Sequence, residues 1–205
     1  MRDLPGNFGS VQTKGIEVNG SYSRRVGNIG RVGLGFSGTY LDKYKVDNGL
    51  TAPYDCAGLY GPTCSVGGTT DSGAPLPHWR HKLRVSLDTD MNIGFSVQWR
   101  YIGPVTAETV SNNQTLHSDN LFDPGLRLAS QSYIDLVATY KLMDAYTFRL
   151  GVNNLFDRSP PMVTSGNGNV SGTNLCPTGP CNGNTYPATY DAIGRYLYAS
   201  VTLDF

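Results

Sequence analysis

The stretch that most constrains the fold is the last eleven residues, Arg195 to Phe205, reading RYLYASVTLDF. Leu197, Ala199, Val201, Leu203 and Phe205 make one apolar row at a spacing of two. Tyr196, Tyr198, Ser200, Thr202 and Asp204 make the other row, which carries the polar groups. Strand side chains alternate between faces, so this is a strand with one greasy and one mostly polar side. It has the length a tilted strand needs to cross a bilayer, and it ends on an aromatic residue. The expectation is the closing strand of a transmembrane β-barrel.

Six further segments alternate in the same way. Gly15 to Arg25 sets Ile16, Val18 and Tyr22 against Glu17, Asn19, Ser21 and Ser23. Arg31 to Asp42 sets Val32, Leu34, Phe36 and Tyr40 against Arg31, Gly33, Gly35, Ser37 and Thr39. His78 to Asp88 carries Leu83, Val85 and Leu87 against Arg80, Lys82, Arg84, Ser86 and Asp88. Ile93 to Tyr101 alternates without a break. Ser132 to Tyr140 and Tyr146 to Phe156 complete the set, while residues 1–14 read as a loop. The connections between the seven strands run short, long, short, long, short, long. Outer-membrane barrels have short periplasmic turns and long extracellular loops, so VGNIG, DTDM and LMDA are expected on the periplasmic side. The long segments 43–77, 103–130 and 158–192 are expected outside. A soluble sandwich has no reason to gather its long loops at one end.

Composition agrees with a barrel. Only 16% of residues are charged, while Gly (25) and Tyr (13) are abundant. Sixteen basic and sixteen acidic residues cancel, which gives no field for nucleic acid. Neither a run long enough for a membrane helix nor the apolar core of a secretory signal is present. Seven strands leave two open edges, and unpaired backbone groups in lipid cost several kcal/mol each. The expectation is the C-terminal part of a longer barrel. Aromatic residues gather where the two interfaces should lie: Tyr40, Trp79, Trp99, Tyr101 and Phe156 near the outer ends, and Tyr22, Tyr140, Tyr146, Phe148 and Phe205 near the inner ends.

Four cysteines form two close pairs, Cys56 with Cys64 and Cys176 with Cys181, in stretches rich in Gly, Pro, Thr and Asn. The plainest reading is two local disulfides in exposed loops, in an oxidising compartment. Four cysteines allow three connectivities, and sequence alone leaves them open. His78 and His81 are three apart and point to opposite faces of a strand, which argues against a shared metal.

Several stretches resemble a known family. FRLGVNNLFDRSPP, Phe148 to Pro161, is similar to the penultimate-strand signature of TonB-dependent outer-membrane receptors. TKGIEVNGSY, Thr13 to Tyr22, resembles an earlier strand of the same barrels, and the terminal aromatic strand completes the likeness. The resemblance implies an all-β, antiparallel transmembrane segment, about seven strands of a twenty-two-stranded barrel, in the outer membrane of a Gram-negative bacterium. It implies TonB-dependent uptake of a scarce nutrient such as a ferric siderophore, cobalamin, haem or an oligosaccharide. The plug domain, the upstream strands and the part that contacts TonB lie outside this chain, so the segment alone is not expected to transport. The partners implied are outer-membrane lipid, the rest of the receptor, the TonB complex and the barrel assembly machinery. Leu197, Ala199, Val201, Leu203 and Phe205 resemble the assembly signal. No enzymatic role and no cofactor is implied. A passive porin shares the architecture without needing GVNNLFD, and an outer-membrane enzyme needs a Ser or Asp with His constellation at the rim. On the inward faces, Arg80, Lys82 and Arg84, with Arg100 on the adjoining strand, form a positive row suited to an anionic ligand.

Overall fold

The computed structural model describes residues 9–61, 63–64, 74–117, 127–143, 145–163 and 185–203. Seven strands form one continuous antiparallel sheet: β1 (Ser10–Val26), β2 (Gly30–Asp47), β5 (Trp79–Thr89), β6 (Ile93–Ile102), β9 (Gln131–Leu142), β10 (Tyr146–Asn153) and β11 (Tyr196–Leu203). Each pairs with its neighbour in sequence, and the sheet is open, with β1 and β11 at its edges. Short strands in the connections complete the architecture. β3 (Tyr54–Asp55) pairs with β2, while β4 (Leu59–Tyr60), β7 (Val105–Ala107) and β8 (Arg127–Leu128) make a small second sheet. A 3-10 turn, Glu108–Val110, follows β7.

The register keeps the two faces chemically separate across all seven strands. One row of partners reads Tyr22, Leu34, Val85, Val97, Leu136, Val152 and Leu197, every member apolar or aromatic. The adjacent row reads Ser23, Gly33, Ser86, Ser96, Val137, Gly151 and Tyr198. A slip of one residue at any pairing would mix these rows. The apolar face is uncovered: Leu34, Val85, Val97, Leu150 and Leu197 are all exposed. A sheet with such a face is matched to a hydrocarbon surrounding.

Residue chemistry at the short turns explains the tight connections. Gly30 has φ +139, and a Cβ there would run into the backbone of Asp88 on β5. Asn92, in the second turn, has φ 60, a conformation its short polar side chain tolerates. Thr89 clasps that turn, its hydroxyl donating to the Ile93 carbonyl at 2.8 Å. Arg25 reaches from the end of β1 to Asp90 at 2.7 Å, tying the first two turns together.

Two corrections concern the first hairpin. Residues 10–14, expected as loop, extend β1, and residues 43–47, expected as the start of a long loop, extend β2. The cause is a β-bulge: Gly15 pairs with Leu41 and Lys14 with Lys43, leaving Asp42 as the extra residue. Gly15 lies so close to the Tyr40 carbonyl that only a residue without a Cβ fits. The bulge interrupts period-two alternation on β2, which hid the extension in the sequence. A third correction is that β10 ends at Asn153 rather than Phe156, because Asn154 has φ 51 and turns the chain.

The buried core lies in the long connections and the strand ends beside them. Tyr60, Val105, Ala107, Leu128, Val163, Tyr186 and Tyr190 form one cluster drawn from all three long connections. Tyr60 and Tyr186 meet edge to face at 5.9 Å between centroids. Ile102, on the same face of β6 as Arg100, packs against this cluster, so the connections fold inward over the polar face. A second cluster joins Val46, Tyr54, Cys56, Cys64 and Leu116. Cys56 and Cys64 are bridged as expected, but the bridge is buried in this cluster rather than exposed. Cys176 and Cys181 lie outside the described residues. Replacing Tyr60 with Ala is expected to destabilise the cap by about 3–5 kcal/mol. Hydrogen exchange should then accelerate in β4, β7 and β8, while the seven-stranded sheet keeps its protection.

Candidate ligand-facing wall and loop cap

On the polar face of β5, alternation places Arg80, Lys82 and Arg84 in one line, roughly 7 Å apart. Register sets Thr39 and Ile102 beside Arg80, Ser37 and Arg100 beside Lys82, and Gly35 and Gln98 beside Arg84. Among the described residues, none of the three has a carboxylate within ion-pair distance. Arg84 donates to the Ser96 hydroxyl at 3.2 Å. Beside it lies a shallow depression of about 430 Å³, lined by residues 21–23 and 33–35 with Arg84 and Ser86. Gly33 and Gly35 open this space, and the hydroxyls of Ser21, Ser23 and Ser86 edge it.

Arg100 belongs to a different arrangement. Its Nε and Nη2 donate to the two oxygens of Asp135 at 2.6 and 2.8 Å, and Nη2 also reaches Asp191 at 2.7 Å. The guanidinium lies over the Tyr133 ring at 5.0 Å. Asp135 further accepts from the Asn154 amide at 2.9 Å, and the Tyr133 hydroxyl accepts from the Asp191 amide at 3.3 Å. Bidentate, charge-assisted bonds of this kind fix geometry as well as charge. The four basic residues expected as one row therefore divide. Three stand exposed on the polar face with no carboxylate within ion-pair distance among the described residues, and Arg100 ties the third long connection to the wall.

The GVNNLFD stretch builds the corner this network rests on. Asn154 is buried, and its side chain both donates to the Arg158 carbonyl and accepts from the Arg158 amide, each at 2.9 Å. The Leu155 amide donates back to Ile134 on β9 at 2.8 Å. Asp157, with φ 53, accepts from the Arg195 amide at 2.8 Å and so positions the start of β11. The stretch is thus an Asn and Asp corner joining β9, β10 and β11. Asp135, Asn154, Asp157 and Asp191 were not legible as a group. The available signal was the density of Asn and Asp at a strand end, where such side chains satisfy turn backbones.

Above the wall, Glu108 joins the first two long connections. Its buried carboxylate accepts from the amides of Thr63 at 2.9 Å and Cys64 at 2.8 Å, clamping the disulfide hairpin. Tyr54 donates its hydroxyl to the Thr63 carbonyl at 3.1 Å. Burial, reinforced by the Glu108 charge, raises the Tyr54 phenol above its ordinary value. Burial does the same, more strongly, to Tyr186 and Tyr190.

His78 and His81 are separately engaged. His78 donates from Nδ1 to the Leu41 carbonyl at 2.7 Å, and His81 accepts at Nδ1 from the Trp79 indole at 2.8 Å. Among the described residues, no three His, Cys, Asp or Glu side chains converge on a metal position.

Two outcomes follow from this geometry. Replacing Arg100 with Ala leaves Asp135 and Asp191 unneutralised, at an expected cost of about 3 kcal/mol. The segment around Asp191 should then become protease-sensitive. The second concerns alkali. In the unfolded cap, tyrosines ionise near pH 10, whereas buried Tyr186 and Tyr190 ionise only well above it. A raised folded-state pKa means the cap's stability is intact below about pH 10 and falls as pH rises beyond it. Tyrosinate absorbance should show late-titrating groups, with Tyr186 and Tyr190 the latest, and these two should move back toward the ordinary value in Tyr60→Ala.

Comparison with known proteins agrees with the fold. The family model described as TonB dependent receptor-like, beta-barrel, matches residues 3–155. No curated protein and no solved structure matches the chain. A match over most of the chain, to an all-β antiparallel sheet with an uncovered apolar face, identifies this protein as a member of the TonB-dependent receptor β-barrel family, whose members are outer-membrane receptors.

Proposed function

We propose that this chain is the C-terminal portion of a receptor barrel that imports a scarce, anionic nutrient such as a ferric siderophore. The observation that carries this reading is the line of three cations, Arg80, Lys82 and Arg84, on the lumen face without carboxylate partners among the described residues. Unneutralised cations on an enclosed wall attract anions and concentrate them locally. The inward-folded cap lies across the outer ends of the same strands, where a ligand enters.

In this reading the missing strands and a plug complete the barrel at the open edges of β1 and β11. The TonB complex acts through that missing part and supplies the energy. The lipid-facing row Leu197, Ala199, Val201 and Leu203, with Phe205 beyond the described residues, serves the barrel assembly machinery.

The test uses the full-length receptor. Changing Arg80, Lys82 and Arg84 together to Gln should weaken binding of an anionic ferric siderophore about tenfold, counting roughly 0.5 kcal/mol for each exposed charge. The loss should shrink as salt rises. Unchanged affinity and uptake would remove the basic row from the pathway. Uptake that persists after collapse of the proton-motive force would indicate a passive channel instead. Deleting Phe205 is expected to lower the amount of receptor in the outer membrane; normal surface levels would count against the assembly role.

A further inference from the structure

Two carboxylates hold Arg100, and they hold it differently. Asp135 lies on β9 with its side chain 8% exposed, and it also accepts from the Asn154 amide at 2.9 Å and from Gln98 at 3.4 Å. It stays in place whatever Arg100 does. The Asp191 side chain is 23% exposed, and among the described residues its carboxylate has one partner, Arg100 Nη2 at 2.7 Å. That nitrogen is shared with Asp135 at 2.8 Å. One carboxylate is built into the wall, while the other reaches it from the third long connection.

The chain around Asp191 lets its carboxylate leave without dismantling the cap. Tyr190, just before it, is buried in the first cluster, and its amide bonds to the Tyr186 carbonyl at 2.9 Å. Arg195 is fixed through its amide to Asp157. Between these anchors Ala192 and Ile193 are exposed, and Gly194 has φ +80, a conformation that favours glycine. Rotation about the side-chain bonds of Asp191 withdraws the carboxylate and leaves both anchors seated.

The place it vacates suits another anion. Lys82 is the register partner of Arg100 on the same face, which sets their Cβ atoms about 5 Å apart. Lys82 is exposed and has no carboxylate within ion-pair distance among the described residues. In charge, Lys82 and Arg100 balance Asp135 and Asp191, so departure of Asp191 leaves this group with an excess positive charge. The Tyr133 hydroxyl, which accepts from the Asp191 amide at 3.3 Å, adds a hydrogen-bonding group beside the cations.

We propose that the Lys82–Arg100 rung is a carboxylate-binding subsite of the ligand path, and that Asp191 fills it as the chain's own stand-in until a carboxylate of the ligand replaces it. While Asp191 is seated, Arg100 is saturated and the rung offers only Lys82. Replacement exchanges one carboxylate for another on Arg100, and Asp135 keeps the guanidinium oriented throughout. The proposal rests on the reading of the basic line as the ligand's wall. It adds the chemical group that is recognised and the residue that guards the seat.

The test uses the full-length receptor and its D191N variant, with tricarballylate, a flexible tricarboxylate, as the probe and its uncharged trimethyl ester as the control. Removing the tethered competitor should tighten tricarballylate about fivefold, while K82Q should weaken it about threefold. D191E should bind as the wild type does, which separates charge from loop packing. In the wild type, tricarballylate should speed amide hydrogen exchange at residues 191–194 and leave 186–190 protected. In D191N exchange at 191–194 should be fast already and unchanged by the probe. The ester, and sodium chloride at matched ionic strength, should do neither. Equal or weaker binding by D191N overturns the proposal, as does binding of the probe to neither protein. Slower exchange at 191–194 in the wild type on adding the probe also overturns it, since the loop would then close on the anion instead of yielding to it. Failure of the import reading looks different: D191N binds more tightly as expected, yet the triple Gln variant of Arg80, Lys82 and Arg84 keeps full uptake, so the subsite stands without the transport role.

Discussion

Hydrogen-bond register is the constraint on which the rest of this structure depends. Six antiparallel pairings carry one apolar row unbroken from Tyr22 to Leu197. Because side chains alternate with a period of two, each pairing has one register that keeps lipid-facing and lumen-facing residues apart. The tight turns enforce that register locally through Gly30 and Asn92. The single departure, the bulge at Asp42, falls at the outer end of the first hairpin. There it turns Tyr44 and Val46 into the loop core while Lys43 and Lys45 stay outside.

Burial is distributed accordingly. In a soluble sandwich the sheet faces make the core. Here the largest fully buried side chains include Tyr60, Leu128, Val105 and Val163, all in the long connections. The second sheet, a parallel pairing of β4 with β7 extended by antiparallel β8, gives those connections a backbone ladder of their own. Glu108 and the Cys56–Cys64 bridge add a polar and a covalent clamp. The three connections share one core, so disturbance of one is transmitted to the others through packing.

Much of this was legible in the chain, for a specific reason. Lipid on one side and water on the other force strict alternation, and strict alternation is a strong sequence signal. Strands β5, β6, β9 and β11 therefore lie within a residue or two of where their patterns place them, apart from residues 204–205, which are not described. The signal failed where the chain leaves the bilayer. Ser10 to Lys14 and Lys43 to Asp47 are paired strand, but the bulge breaks their period and no lipid imposes one. The cap was illegible for a related reason. Its elements are two or three residues long, and its core residues come from segments far apart in sequence. The basic row was visible by alternation, but the division of Arg100 from Arg80, Lys82 and Arg84 required the position of Asp191, which no local pattern supplies.

That division has a physical logic of its own. A guanidinium held by two carboxylates and stacked on Tyr133 has little charge left to offer a ligand, yet it resists displacement because its bonds are directional. Exposed cations with no fixed partner are the converse: they contribute little to stability and keep their field available. The wall separates these two uses over one rung of the ladder, since Lys82 and Arg100 are direct partners in register. The Asp135 carboxylate sets the boundary. Its bonds from Arg100, Gln98 and the Asn154 amide saturate it on the β9 side. That leaves it no lone pair for Lys82, so Asp135 holds the cap and does not neutralise the basic line on β5.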